Sequence, residues 1–476
     1  MTLPWCVYRV YDGAVLSSKA DAVVAIPNYR LGLLGHSTGN ESELRFLGLG
    51  DQLTAVRWLR DNVGFFGGNA SRMVLAGHGA GAASVGHWIL GTQPEIADVQ
   101  RFVMISGSPY ARYMKDADVT TKNMRILARR VQCESFDEVC SVEEILPCLR
   151  RFPSSVLVPR LRGLNGRLED PYTSMDDIPA ANESQINRPR GSLLLGTTSD
   201  EGSHLVGRMT TQHHMSEDWM YHWLTSQGVD NVSVFLDHYQ RELGTTNLDV
   251  ARSEAYADVR YRCPMRRFAE RMTSSDLSVH WFVFNAKPSF EESYLRSEDA
   301  GHYSTVRLLL TDLGNVRPTG EDIVVRDSFV RTLGRVPKIL GGKEWPPYTS
   351  STRAAVRIGR HGHVAVSMSG DPCRHVRQHE KEPTAATTTE ASTSRAAFVQ
   401  PRVWVSPVSR ANTAPLTQQP TTEPARPGVW FDEDAFVRRR DHAVLIRDAA
   451  VELSDVLPRV DRTASYDAKH ADFEEA

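Results

Sequence analysis

The chain has 476 residues, is 41% apolar, and carries 55 basic and 58 acidic residues for a formal net charge of -3. That length and apolar content suffice for one large α/β domain plus extra segments, or for three ordinary domains. The near-balanced charge does not point to nucleic acid or to an anionic membrane surface, and no apolar run approaches the ~20 residues of a membrane span.

In chain order, Met1–Cys6 lacks the basic and long apolar regions of a signal peptide. Ala22-Val23-Val24-Ala25-Ile26 reads as a buried strand. Asp51–Asn62 reads as a helix: Leu53, Val56 and Leu59 recur on one face, and Asp51 favours its N-terminus. Met73-Val74-Leu75-Ala76 predicts a second strand running into a glycine cluster, and Ala80–Leu90 the helix after it. Phe102–Ile105, Leu193–Leu195 and Val279–Phe284 read as further strands, with helices over about 118–132, 249–273 and 321–334. Alternation of short apolar runs with amphipathic stretches predicts an α/β fold. Gly359-Arg360-His361-Gly362-His363 reads as a surface loop.

The character changes near residue 378. Residues 379–428 are rich in Thr, Ser, Ala and Pro, and such a segment cannot offset its own chain entropy, so it reads as a disordered linker. The tail over 429–476 has one amphipathic stretch near Asp441–Leu457 that reads as a marginal surface helix.

The most informative segment is Leu75-Ala76-Gly77-His78-Gly79-Ala80-Gly81. A strand, a tight Gly-x-x-x-Gly turn and a helix form the geometry that presents a nucleophile in many hydrolases. The central residue of such a turn adopts a positive φ, which glycine accepts without penalty. Here that residue is Gly79, which has no side chain. His78, one position earlier, reads as a loop histidine that points elsewhere. No Cys/His cluster has the spacing of a zinc site, so neither a metal nor a cofactor is expected. The six cysteines are compatible with thiols or disulfides, and four sequons, at Asn40, Asn69, Asn182 and Asn231, lean slightly toward the secretory route.

Around this turn lie Asn28-Tyr29-Arg30-Leu31-Gly32, Gly48-Leu49-Gly50-Asp51-Gln52, Asp61-Asn62-Val63-Gly64-Phe65-Phe66-Gly67-Gly68-Asn69 and Ile105-Ser106-Gly107-Ser108-Pro109. Further on come Thr198-Ser199-Asp200-Glu201-Gly202-Ser203, Tyr261-Arg262-Cys263-Pro264 and Trp345-Pro346-Pro347-Tyr348. In this order, over residues 20–375, they resemble the type-B carboxylesterases and cholinesterases, a family that includes the neuroligin-type adhesion proteins. The resemblance implies an α/β-hydrolase fold: a mostly parallel central sheet with helices on both faces, over residues 1–378. Val10-Tyr11-Asp12-Gly13 resembles a segment inside the family's domain, which leads one to expect a chain that lacks the early strands and the Gly-rich oxyanion loop.

Carried over residue by residue, the resemblance places the family's nucleophile at Gly79, its acid at Glu201 and its base at His302; Ala80 would be the remnant of the oxyanion hole. The family has an acidic residue three positions after its histidine, where this chain has Thr305. Hydrolysis needs an oxygen that the histidine can deprotonate and that can carry the acyl group, so the triad is read as degenerate. The resemblance also implies disulfides Cys133–Cys148 and Cys263–Cys373, with Cys140 an alternative partner in the first and Cys6 left over.

The leading expectation is a catalytically silent protein of the cell surface or extracellular space that recognises an extracellular protein partner, and the family resemblance allows a homodimer through residues 321–340. The alternatives are a carboxylic-ester hydrolase with an impaired site, a carrier of an apolar small molecule, and the product of a truncated gene model.

Overall fold

The computed structural model describes residues 13–30, 32–35, 47–91, 95–111, 117–133, 142–160, 190–204, 206–207, 217–291, 298–310, 318–339, 345–368, 373, 376 and 443–446. These residues form an eight-stranded sheet in the order β1-β8-β2-β3-β4-β5-β6-β7. The strands are β1 Val24–Ala25, β2 Leu75–His78, β3 Arg101–Ile105, β4 Gly191–Thr198, β5 Leu277–Phe284, β6 Ala354–Gly359, β7 Gly362–Ser367 and β8 Ala443–Ile446. Every pairing is parallel except β6 with β7. This is the mostly parallel, helix-covered sheet of an α/β-hydrolase.

Period-2 alternation sorts the strand residues into two cores, one on each face. Phe102, Met104, Leu193, Leu195, Val279 and Trp281 join Leu49, Leu53, Val56, Val85 and Ile89 on one face. Val103, Ile105, Leu194, Phe282 and Phe284 meet Val306, Leu309, Phe329 and Val330 on the other. The helix Leu47–Asn62 buries the face predicted from its periodicity, and Gln52 is buried on it too. Gln52 accepts a hydrogen bond from Trp88 Nε1 (3.1 Å) and donates to Ser84 Oγ (3.3 Å), so the buried amide ties this helix to Ala80–Leu90.

Four expectations need correction. First, the region read as one helix over 249–273 is two helices, Leu248–Ala257 and Cys263–Met272, joined by a π turn over Asp258–Arg262. Pro264 has no N–H to continue the ladder, and the Cys263 N–H bonds instead to the Asp258 carbonyl, five residues back. Second, 359–363 is the two-residue turn Arg360-His361 between the antiparallel strands β6 and β7, with Gly362 at φ +114°. Third, Ala443–Ile446, read as part of a helix, is a strand lying between β1 and β2. Four apolar residues carry no periodicity that separates a helix from a buried strand. Fourth, His78 is the last residue of β2 and is buried at 6% exposure rather than being a loop histidine.

Cys133 is bonded to Cys148, and Cys263 to Cys373, each within its own small apolar cluster. Cys6, Cys140, Asn40, Asn182 and the 379–428 linker lie outside the described residues. No helix among the described residues is long and apolar enough to cross a membrane.

The helix Ala80–Leu90 is buried along nearly its whole length, and burial drives the His87 imidazole down to about 3. The ring stays neutral in the fold but takes a proton near pH 6.5 in the unfolded chain. Its contribution to stability is therefore complete above about pH 6.5 and is lost as the pH falls from there toward 3. Between pH 7 and pH 4 urea unfolding should show His87→Leu gaining on the parent by up to about 3 kcal/mol.

Candidate functional site

β2 ends in the turn that dominates the site. A Cβ at Gly77 would lie 2.2 Å from the Gly81 carbonyl, so the approach of strand to helix tolerates no side chain there. Gly79 caps the helix with φ 57° and ψ -119°. Its N–H donates to the Ile105 carbonyl at 2.9 Å, and its carbonyl accepts from the Ala83 N–H at 3.1 Å. The turn is thus held to β3 on one side and to the helix on the other. Ala80 is the first residue of that helix.

Glu201 follows the C-terminal end of β4, and His302 lies two residues before the helix Ser304–Leu310. Two hydrogen bonds, one between backbone groups and one from a backbone N–H to a side chain, bring their loops together. The Asp200 N–H donates to the Ala300 carbonyl at 2.9 Å, and the Ala300 N–H donates to Ser199 Oγ at 3.1 Å. All of these groups lie at the carboxyl ends of parallel strands, where ligand sites of open α/β sheets gather.

The Glu201 side chain is fully buried. Its Oε1 accepts from Ser106 Oγ and from the Thr198 N–H, both at 2.7 Å, and its Oε2 lies 2.6 Å from His302 Nδ1. Three donors thus converge on one buried carboxylate, the condition under which such a group is tolerated away from water. With Nδ1 donating to the carboxylate, the neutral ring keeps its lone pair on Nε2. Among the described residues Nε2 has no hydrogen-bond partner, although the His302 side chain is only 9% exposed.

Rings pack His302 from several sides. Tyr261 stacks on it with centroids 4.5 Å apart, Tyr303 meets it edge-on at 4.8 Å, and His78 lies at 4.5 Å. His78 Nε2 also bonds the His302 carbonyl at 2.9 Å. Tyr261 reaches the ring from the π turn, whose Asp258 and Arg262 pair at 2.9 Å; Glu254 completes the pair at 2.7 Å, and Tyr239 donates to Asp258 at 2.9 Å. Burial raises the Asp258 carboxyl, an effect that Arg262 opposes. Sequence reasoning gave no role to Ser106, His78 or Tyr261. All three stood in segments quoted above, but only tertiary approach brings Ser106 to Glu201, and His78 and Tyr261 to His302.

The structure brings Glu201 and His302 together and ties them, through Ser106 and His78, to the elements that flank the Gly79 turn. The arrangement can hold an oriented imidazole, but the turn presents no hydroxyl to it. Ser106 donates to Glu201, and Ser108 donates to the Pro264 carbonyl at 2.9 Å. Among the described residues no group of three or more His, Cys, Asp or Glu is placed to hold a metal ion.

Comparison with known proteins places these observations in a family. The carboxylesterase family model matches residues 6–377. Human neuroligin-2 is 39% identical over 151 residues, which cover 32% of this chain and 17% of that protein. Acetylcholinesterase-1 of Trittame loki is 24% identical over 377 residues, 72% of this chain and 67% of that protein. Cholinesterase 2 of Branchiostoma lanceolatum is 29% identical over 206 residues, 41% of this chain and 60% of that protein.

Replacing Glu201 by Ala strands three buried donors at once and should cost about 3 kcal/mol or more in urea unfolding. Glu201→Gln keeps the shape and one acceptor oxygen, and should cost less than half as much. Equal losses for the two variants would show that the acceptor atoms are not what matters.

Proposed function

The chain belongs to the carboxylesterase family, and within it we propose a catalytically silent member that acts in extracellular protein–protein recognition. One observation carries this reading: the turn apex is Gly79, while the acid–base pair that would serve a nucleophile there, Glu201 and His302, is assembled at 2.6 Å. A serine hydrolase forms its covalent intermediate on a side-chain oxygen, and glycine supplies none. Glycine also relieves the strain that a positive φ imposes on other residues. The fold therefore loses chemistry at this position without losing stability.

Several features support presentation outside the cell. Two disulfides suit an oxidising compartment. Asn69 and Asn231 are exposed sequon residues whose side chains cap the helical segments Ala70–Arg72 and Val232–Leu243, respectively. The Thr/Ser/Pro-rich stretch 379–428 serves as a linker between residues 1–378 and the tail. The similarity to neuroligin-2 supports protein recognition as the role, and the helix Gly320–Ile339, with Val324 61% exposed, is the surface for a homodimer.

A second reading keeps the ancestral chemistry, because the surviving Glu201–His302 pair could activate an ester's attacker from elsewhere. A fluorophosphonate probe separates the two. The parent protein should remain unlabelled, and Gly79→Ser should be labelled at position 79 in a manner lost on adding His302→Ala. Labelling of the parent within residues 70–310, with ester turnover that His302→Ala abolishes, would overturn the silent reading.

Expression through a secretory route should add glycans removable by glycosidase, with mass lost stepwise in Asn69→Gln and Asn231→Gln. Each substitution should also cost about 1 kcal/mol through the lost cap.

A further inference from the structure

The sheet order places β8 between β1 and β2, although residues 368–442 separate it in sequence from β7. It runs parallel to both neighbours. Ala443 and Val444 pair with Val24 and Ala25 on one side, while Val444, Leu445 and Ile446 pair with Leu75, Ala76 and Gly77 on the other. Among the described residues β1 has no other strand partner, so β8 is what joins it to the rest of the sheet. On its second side β8 pairs with the strand that runs directly into Gly79.

The sequence suits an interior strand. Ala443-Val444-Leu445-Ile446 is a continuous apolar tetrad, as expected where a parallel strand is covered on both faces. Charged residues bound it: Arg438-Arg439-Arg440-Asp441 before and Arg447-Asp448 after. That boundary fixes how much of the segment can enter the sheet. Without β8, β2 and β1 would each present an unpaired row of backbone donors and acceptors, which is costly when buried and adhesive when exposed.

We infer that the C-terminal segment is a tethered, sheet-completing strand: the slot between β1 and β2 recognises an apolar tetrad in parallel orientation, and this chain's own Ala443–Ile446 fills it. The segment thus augments its own sheet by the backbone pairing that strand-addition domains use on extended peptides. The pairing depends on backbone geometry and an apolar tetrad rather than on the acid–base pair, so the inference stands apart from the silent-enzyme reading.

The test uses the full chain with a protease site placed between residues 381 and 437. After cleavage the C-terminal fragment should co-elute with the body on size exclusion, and the amides of Val444–Ile446 should remain slow to exchange. Excess synthetic peptide spanning residues 438–450 should displace the fragment. Leu445→Pro removes a ladder donor and should release it, speeding exchange at Leu75–Gly77 roughly tenfold or more. Should that variant fail to accumulate, Val444→Asp retains the backbone donor while placing a charge in the slot, and should release the fragment likewise. Prompt separation of the unsubstituted fragment from the body, or exchange at Leu75–Gly77 that neither variant alters, would overturn the inference.

Discussion

The centre of this protein depends on one buried carboxylate. Glu201 accepts from a backbone N–H, a hydroxyl and an imidazole, and each donor comes from a different part of the chain: the end of β4, the segment after β3 and the loop before Ser304–Leu310. A buried anion demands such partners, because leaving it unpaired costs several kcal/mol. The same demand that would orient a catalytic histidine therefore also holds the ends of β3 and β4 against the loop before Ser304–Leu310. The pair thus has structural work independent of any chemistry.

The imidazole is fixed from its other side by packing. Tyr261 lies flat against it because the helix widens into a π turn, and the Arg262–Asp258–Glu254 cluster with Tyr239 secures that turn. The adjoining Cys263–Cys373 bond anchors the same region. His78 adds a ring contact and a hydrogen bond to the His302 carbonyl. The result is a preorganised, closely packed arrangement around the imidazole.

Much of this is legible in the sequence. Glycine spacing and the apolar run into it marked the strand–turn–helix, since few other residues fit the close approach at Gly77 and the positive φ at Gly79. Leu53, Val56 and Leu59 marked a helix face by periodicity. The misreadings arose where local pattern is silent. Gly359–His363 resembled a loop because a two-residue hairpin turn shares its composition, and only the alternation through Val364 and Val366 betrays the strand. The tetrad at 443–446 is too short for any period to declare itself. Tyr261 and His78 sit far from His302 in sequence, and no spacing rule can bring them to its ring.

The position of β8 has a temporal consequence. A ribosome makes residue 25 long before residue 443, and at about 5–20 residues per second the interval is roughly 20–80 s. Throughout that wait β1 lacks the one strand partner it has among the described residues, and the edge of β2 that β8 covers stands open beside the turn. Pairing across so large a sequence separation is intrinsically slow, so the nascent sheet passes through a long adhesive interval that ends only with the synthesis of Ala443–Ile446. For this chain the exposed interval lies in biogenesis rather than in the finished fold.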